Sequence, residues 1–381
     1  MHFGKSIHGV SLLDSGDQPV WTDRFLKLAR EVQPDAVVIA GDVYDRSAPS
    51  GDAVALLDSL ITSLAELEIP VMMTAGNHDS GQRMSFGGSL LAKQNVHIAG
   101  VLSGELAHVT LADRHGPVTF WLMPYVFPAL AAQRLGDGEI RDYDTAVRRL
   151  LAEQDVDFSR RNVLVAHQNV TANGRESARG GSESMVGGVG QVDYHAFDGF
   201  DYVALGHIHA ACSVGRDTVC YAGSPLCYHF DETRQPVKGL LLVELGAKGT
   251  APVIETKVIP PLHPMRELRG TWGELQAAAL QDGARGEYLR VILTDRRPEP
   301  EICEFLRGLF ESRESRLLEL ASEYRQFGAA SSAPTAGIEE KAVEELFVDF
   351  YGSFTFRVDK KILGDFTNQH HQHHHIPKVI K

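Results

Sequence analysis

Apolar and polar residues follow two different patterns along the first hundred residues. One face of the segment 18–32 carries apolar residues at a spacing of about 3.6, which predicts an amphipathic helix. The runs 35–41 and 70–76 are short and apolar, as is typical of buried strands. A second helix lies between them, with Asp52 as its predicted N-cap. Helices that alternate with buried strands predict an α/β fold.

The pattern beyond residue 100 predicts mainly strands. They are a hairpin over 106–126 and single strands over 162–166, 202–205, 219–223 and 240–245. The proline-rich segment 259–264 interrupts all regular structure, so we place a domain boundary there. Beyond it, an alternating strand over 288–293 and a helix lined by Ile302 and Leu306 predict a small α+β domain.

These boundaries divide the chain into a large domain and several smaller parts. The predicted parts are a domain over 1–262, a small α+β domain over 265–326, a linker over 327–337, an amphipathic helix over 338–351 and a tail over 352–381. The apolar face of the helix either packs back on the chain or docks on another protein. The tail ends in a histidine-rich, low-complexity run that is typical of disordered sequence.

Composition narrows the class of protein. The 381 residues contain no apolar run of the ~20 residues that a membrane span requires, so we expect no membrane association. The four cysteines show no C-x-x-C pairing, which favours a reducing cytoplasm. The formal net charge is −13, which argues against binding nucleic acid by bulk electrostatics. A polyanionic substrate would therefore need a local patch, bound cations or a partner.

Residue types that bind metals cluster where four of the predicted strands end. They are Asp42 and Asp45 in GDVYD, Asn77 and His78 in GNHD, His167, and His207 and His209 in GHIH. Strands of an open α/β sheet place such ends together, so we expect these side chains to converge. Oxygen and imidazole donors without thiolate suit Mn²⁺, Fe²⁺ or Zn²⁺. An H-x-H pair on an extended segment turns both rings to one side, enough to contact two adjacent ions, as in two-metal phosphoesterases.

The three motifs, in this order, resemble those of the calcineurin-like metallophosphoesterase superfamily. Within it, YAGSP at 221–225 and the opening GKSIHGVSLL at 4–13 are similar to the SbcD-like family of bacterial DNA-repair nucleases, relatives of the Mre/Rad nucleases. The resemblance covers about residues 2–350. It implies a metallophosphoesterase β-sandwich flanked by helices, with the small domain over 265–326 as a cap that helps to select DNA.

The resemblance also implies a role for each site residue. Asp42 would bridge two metal ions; Asn77, His167 and His207 would complete the second site; and His2 and His209 would serve the first. Two further residues would be catalytic without binding metal. His78 would stabilise the transition state or protonate the leaving oxygen, and Asp45 would orient groups close to the metals.

The function implied is that of a metal-dependent phosphodiesterase that cleaves DNA as an exonuclease and endonuclease, by two-metal-activated attack of water. Mn²⁺ is the first choice of metal, with Mg²⁺, Fe²⁺ or Zn²⁺ as alternatives. The chain would be the catalytic subunit of an SbcCD-like DNA-repair complex. Its helix over 338–351 would dock on an SbcC-like coiled-coil ATPase, and a homodimer is implied as well.

The sequence departs from the family at its first motif, Asp-x-His. His2 aligns with the histidine and Met1 with x, so the Asp and its strand would precede residue 1. We expect weaker binding of the first metal and lower activity than in a chain extended upstream; equal rates would refute this. Two alternatives stay open. One is a phosphoesterase of the same superfamily that acts on small substrates. The other is a catalytically impaired subunit that binds DNA or the ATPase.

Overall fold

The computed structural model describes residues 1–102, 105–172, 174–176, 190–234 and 238–324. The helices in these ranges are α1 (Asp17–Val32), α2 (Gly51–Glu66), α3 (Gly81–Met84), α4 (Gly88–Leu91), α5 (Pro128–Leu135), α6 (Tyr143–Ala152), α7 (Trp272–Gln281) and α8 (Pro300–Glu311). Short 3₁₀ helices cover Ala92–Gln94, Tyr194–Phe197 and Phe230–Arg234. The predicted linker, docking helix and tail over 327–381 lie outside the described residues.

The helix predicted over 18–32 is confirmed as α1, whereas the predicted cap of α2 is wrong. Ser50, not Asp52, is the N-cap residue: its Oγ accepts a hydrogen bond from the Ala53 amide at 3.2 Å. Asp52 lies in the first turn, where a negative charge is stabilised by the exposed amides of the helix end. Ser50 and Asp52 are both residue types that cap helices, so the sequence alone does not show which of the two is the N-cap.

Nineteen strands are found in the described residues. They are β1 (Ser6–Ile7), β2 (Val10–Ser11), β3 (Val37–Ala40), β4 (Val71–Thr74), β5 (Val96–Ala99), β6 (Ala107–Asp113), β7 (Gly116–Met123), β8 (Arg161–His167), β9 (Asn169–Ala172), β10 (Arg175–Glu176), β11 (Gln191–Asp193), β12 (Tyr202–Gly206), β13 (Cys212–Val214), β14 (Arg216–Tyr221), β15 (Gly239–Glu244), β16 (Val253–Val258), β17 (Met265–Gly270), β18 (Tyr288–Leu293) and β19 (Arg316–Ser322). The predicted hairpin is confirmed as β6 and β7, which pair antiparallel.

Two sheets face each other and form the centre of the larger part of the structure. One has the order β13-β14-β12-β8-β7-β6, and its four central strands are parallel; the other is parallel, with the order β3-β4-β5. Met72, Leu122 and Val165 are buried between them. Helices α1 and α2 cover the outer face of the smaller sheet, and α5 and α6 that of the larger one. The predicted α/β sandwich flanked by helices is therefore confirmed.

The segment after the proline-rich boundary forms its own small sheet. Strands β17, β18 and β19 are parallel, with α7 and α8 as their crossovers, and Val291, Leu306 and Phe310 are buried in a separate core. Tyr288 joins this sheet to α1, because its hydroxyl donates a hydrogen bond to Asp17 at 2.7 Å. That 265–326 acts as a cap stays a prediction. None of the helices described has both the length and the apolar character needed to cross a membrane.

Candidate metal centre

The ends of four parallel strands meet at one place in the sandwich. Strands β3 and β4 of the smaller sheet lead into Asp42 and Asn77, while β8 ends at His167 and β12 leads into His207. The backbones approach so closely that a Cβ on Gly206 would lie 1.7 Å from the Ala40 carbonyl oxygen. Glycine is therefore required at the end of β12, because any side chain would force the two sheets apart.

Asp42 lies at the centre of the converging side chains. Its Oδ2 is 3.2 Å from His167 Nε2 and 3.6 Å from His2 Nε2, and its Oδ1 accepts the His78 amide at 3.0 Å. Two sets of potential metal-binding residues share Asp42: one includes His2 and His78, and the other His167 and His207. Within each set, the potential ligand atoms lie within 4.8 Å of one another. Burial by itself would raise the pKa of the Asp42 carboxyl, but the neighbouring histidines, His167 foremost, lower it well below its usual range.

One side of Asp42 is formed by Asn77, His167 and His207, which we call the strand-end half. The Nδ1 of His167 donates to the Ala40 carbonyl at 2.8 Å, so its Nε2 faces Asn77 Oδ1 at 3.1 Å. His207 Nδ1 lies 3.1 Å from the same oxygen. Burial lowers the pKa of His207 to about 3, which keeps its imidazole neutral and able to bind a metal.

The other side is formed by His2 and His209, which we call the loop half. Their Nε2 atoms are 3.2 Å apart, and the Nδ1 of His209 lies 3.0 Å from Glu232 Oε1. The chain around His2 runs beside the GDVYD motif, because the His2 amide donates to the Asp42 carbonyl at 2.8 Å. Burial lowers the pKa of His2 to about 3, so this ring is also neutral.

His78 and Asp45 lie next to the loop half. The His78 Nδ1 donates to the Asp45 carbonyl at 2.9 Å, and the two rings of His78 and His2 meet edge to face with centroids 4.9 Å apart. The Asp45 carboxylate contacts Lys5 Nζ at 2.9 Å. Burial would raise the pKa of Asp45, but its contacts with His2 and Lys5 lower it to about 2, so the group is a carboxylate.

The donor set fits divalent cations. Among the described residues, His207 Nε2 is a buried nitrogen without a hydrogen-bond partner, an arrangement that costs free energy unless a ligand satisfies it. Carboxylate, amide and imidazole donors without thiolate suit Mn²⁺, Fe²⁺ or Zn²⁺. The structure brings together all eight residues that the sequence singled out; the separate roles of the six metal ligands and of His78 and Asp45 stay predictions.

Residues that the sequence did not single out hold these side chains in place. Asp79 accepts the amides of Val43, Tyr44 and Gly76 at 2.9–3.1 Å and so ties two of the motifs together. Its position at the end of GNHD was a usable signal. Gln18 and Glu232 hold the loop half, and no local pattern marks either of them.

Comparison with known proteins assigns the chain to a family. Residues 7–211 match the family model of the calcineurin-like phosphoesterases, and residues 261–353 match the SbcD_C model, described as the type 5 capsule protein repressor C-terminal domain. The chain is 31% identical over 360 residues to the SbcD subunit of the SbcCD nuclease of Staphylococcus saprophyticus, covering 93% of this chain and 91% of that protein.

A second relative is the SbcD subunit of the SbcCD nuclease of Staphylococcus epidermidis. It is 32% identical over 278 residues, which cover 72% of this chain and 71% of the relative. The first model covers the smaller sheet and strands β6 to β12 of the larger sheet, and the second covers the small sheet of β17, β18 and β19. The chain belongs to the calcineurin-like phosphoesterases and, within them, to the family of SbcD subunits of SbcCD nucleases.

Proposed function

We propose that this chain is a metal-dependent nuclease that hydrolyses phosphodiester bonds in DNA, as the catalytic subunit of an SbcCD-like complex. The observation that carries the proposal is the position of Asp42 between two sets of potential ligands. A carboxylate shared by two cations is the arrangement used for hydrolysis of phosphate esters. Both relatives are named as subunits of the SbcCD nuclease, which supports DNA as the substrate.

The proposed metal ligands are the Asp42 carboxylate and five of the side chains around it. They are Asp42 as the bridge, with Asn77, His167 and His207 for one ion and His2 and His209 for the other. Two divalent ions, Mn²⁺ foremost, would activate water and stabilise negative charge on the phosphate. The ions would also offset the repulsion between a polyanion and a chain with a net charge of −13, because the polyanion would meet positive charge at the site itself.

His78 would act on the phosphodiester through its Nε2 atom. Because a carbonyl oxygen only accepts, the contact with the Asp45 carbonyl fixes the proton of His78 on Nδ1. Nε2 is then the atom that, when the ring carries a second proton, would donate a hydrogen bond to the charged phosphate or give that proton to the leaving oxygen. The Asp45 side chain, held by Lys5, keeps the segment that anchors His78 in position.

The proposed partners follow from the family. We propose that an SbcC-like coiled-coil ATPase binds the segment 338–351, which lies outside the described residues, and that the small domain over 265–326 caps the site and helps to select duplex DNA. A homodimer is proposed on the resemblance alone.

Degradation of linear duplex DNA in the presence of Mn²⁺ tests the proposal. We expect cleavage that chelation abolishes and that His78→Ala lowers by about 10²–10⁴-fold, the usual contribution of a general acid or base. Asp201→Asn is the matched control, because this carboxylate lies at the other end of β12 and contacts Lys248 and the Asn162 amide. Turnover of nucleotides or cyclic diesters without cleavage of duplex DNA would support the small-substrate alternative instead.

A further inference from the structure

The polar cluster behind His209 is built around a buried carboxylate. Glu232 is 1% exposed, and its Oε1 lies 3.0 Å from His209 Nδ1. Its Oε2 lies 2.7 Å from Lys238 Nζ and accepts the Tyr228 amide at 3.2 Å. A carboxylate buried this completely needs both a positive partner and hydrogen-bond donors, and this cluster provides them.

Lys238 connects the carboxylate to the backbone of the metal-ligand motif. Besides Glu232, its Nζ donates to the His209 carbonyl at 2.7 Å and to Ser224 Oγ at 2.8 Å. The lysine therefore holds His209 by its main chain, while Glu232 holds it by its ring. Ser224 belongs to the YAGSP segment, so this segment takes part in positioning the histidine.

We propose that Glu232 is the positioning residue of the loop half: it accepts the Nδ1 proton of His209 and so fixes the ring with Nε2 directed at the metal centre. The inference rests on the proposed function, because it assigns His209 as a ligand. A lysine-bound carboxylate accepts hydrogen bonds, so the proton of His209 lies on Nδ1. Its Nε2, 3.2 Å from His2 Nε2, then points to where a cation would sit. A carboxylate behind a metal-binding imidazole fixes its orientation and raises its basicity.

Calorimetric titration of the full chain with Mn²⁺ tests this role. His209→Ala first identifies the Mn²⁺ site to which the histidine contributes. We expect Glu232→Gln to raise the Kd of that same site by about 10–100-fold and to leave the other site unchanged. DNA cleavage by Glu232→Gln should fall at limiting Mn²⁺ and recover at high Mn²⁺, a rescue that general loss of structure would not show.

Two further variants keep the test decisive. Asp201→Asn removes a lysine-bound carboxylate away from the metal centre and should bind Mn²⁺ like the unaltered chain. Glu232→Gln/Lys238→Met removes the half-buried cation together with its carboxylate partner, so the Mn²⁺ titration is possible even if the single variant unfolds. Unchanged Mn²⁺ binding in a folded Glu232 variant, or two unchanged Mn²⁺ sites in His209→Ala, would overturn the inference. If the unaltered chain binds Mn²⁺ but does not cleave DNA, the proposed function fails, while the titrations still decide the role of Glu232.

Discussion

The two halves of the metal centre are held in place by different parts of the structure. In the strand-end half, β8 and β12 pair in register up to His167 and Gly206. The backbone of the sheet therefore positions His167 and His207, which directly follows Gly206. In the loop half, His2 and His209 lie outside the strands and helices, and polar side chains from α1 and from the 3₁₀ helix Phe230–Arg234 hold them. Changes to the sheet should therefore disturb one half, and changes to remote polar residues the other.

Asp42→Asn should have the largest effect, because Asp42 is the one described side chain that both ligand sets share. Losing the charge of a bridging carboxylate should weaken Mn²⁺ binding in both halves and lower the rate of DNA cleavage by about 10³-fold, equal to several kcal/mol of transition-state stabilisation. Calorimetry and initial rates, with Asp201→Asn as the control, measure this. Loss of binding in one half only would show that Asp42 does not bridge.

Gly206→Ala should disturb the strand-end half through the backbone. The added Cβ would lie 1.7 Å from the Ala40 carbonyl oxygen and 2.8 Å from His167 Nδ1, so β3 and β12 would have to separate. We expect a loss of about 1–3 kcal/mol in the free energy of unfolding, together with weaker Mn²⁺ binding. Denaturant unfolding in chelator measures the first effect. Gly88→Ala is the control, since a Cβ there meets no atom within 4 Å; equal stability of the two variants would contradict the prediction.

The sequence predicts the strand-end half better than the loop half for a physical reason. A buried strand is a local pattern, so the ends of β4, β8 and β12 and the candidate metal-binding residues at these ends could be predicted from the residues alone. Glu232 follows Asp231 in the sequence, yet Glu232 is buried and Asp231 is half-buried, and only the tertiary fold decides which of the two acidic side chains turns inward. Sequence patterns establish which residues carry chemistry more readily than which residues hold them.

Gln18 supports the loop half from the first turn of α1 and should give the smallest effect. Its side-chain amide donates to the His2 carbonyl at 2.7 Å, and its carbonyl accepts the Gly4 amide at 2.9 Å. Gln18→Ala leaves the buried His2 carbonyl and the half-buried Gly4 amide without these partners, at a cost of about 1 kcal/mol each. We expect part of this cost to appear as a displacement of His2. The Mn²⁺ affinity of the loop half should then drop by about fivefold, while that of the strand-end half stays unchanged.

Thr22→Ala provides the comparison for Gln18→Ala. Thr22 is buried on the same helix, and its hydroxyl donates to the Gln18 carbonyl, within the helix itself. Calorimetric titration should therefore show two unchanged Mn²⁺ affinities for Thr22→Ala and one reduced affinity for Gln18→Ala. Equal reductions in both halves for Gln18→Ala would mean that α1 supports the centre as a whole. The two halves would then respond together to a change in α1, and the difference in how their backbones are held would have no consequence for metal binding.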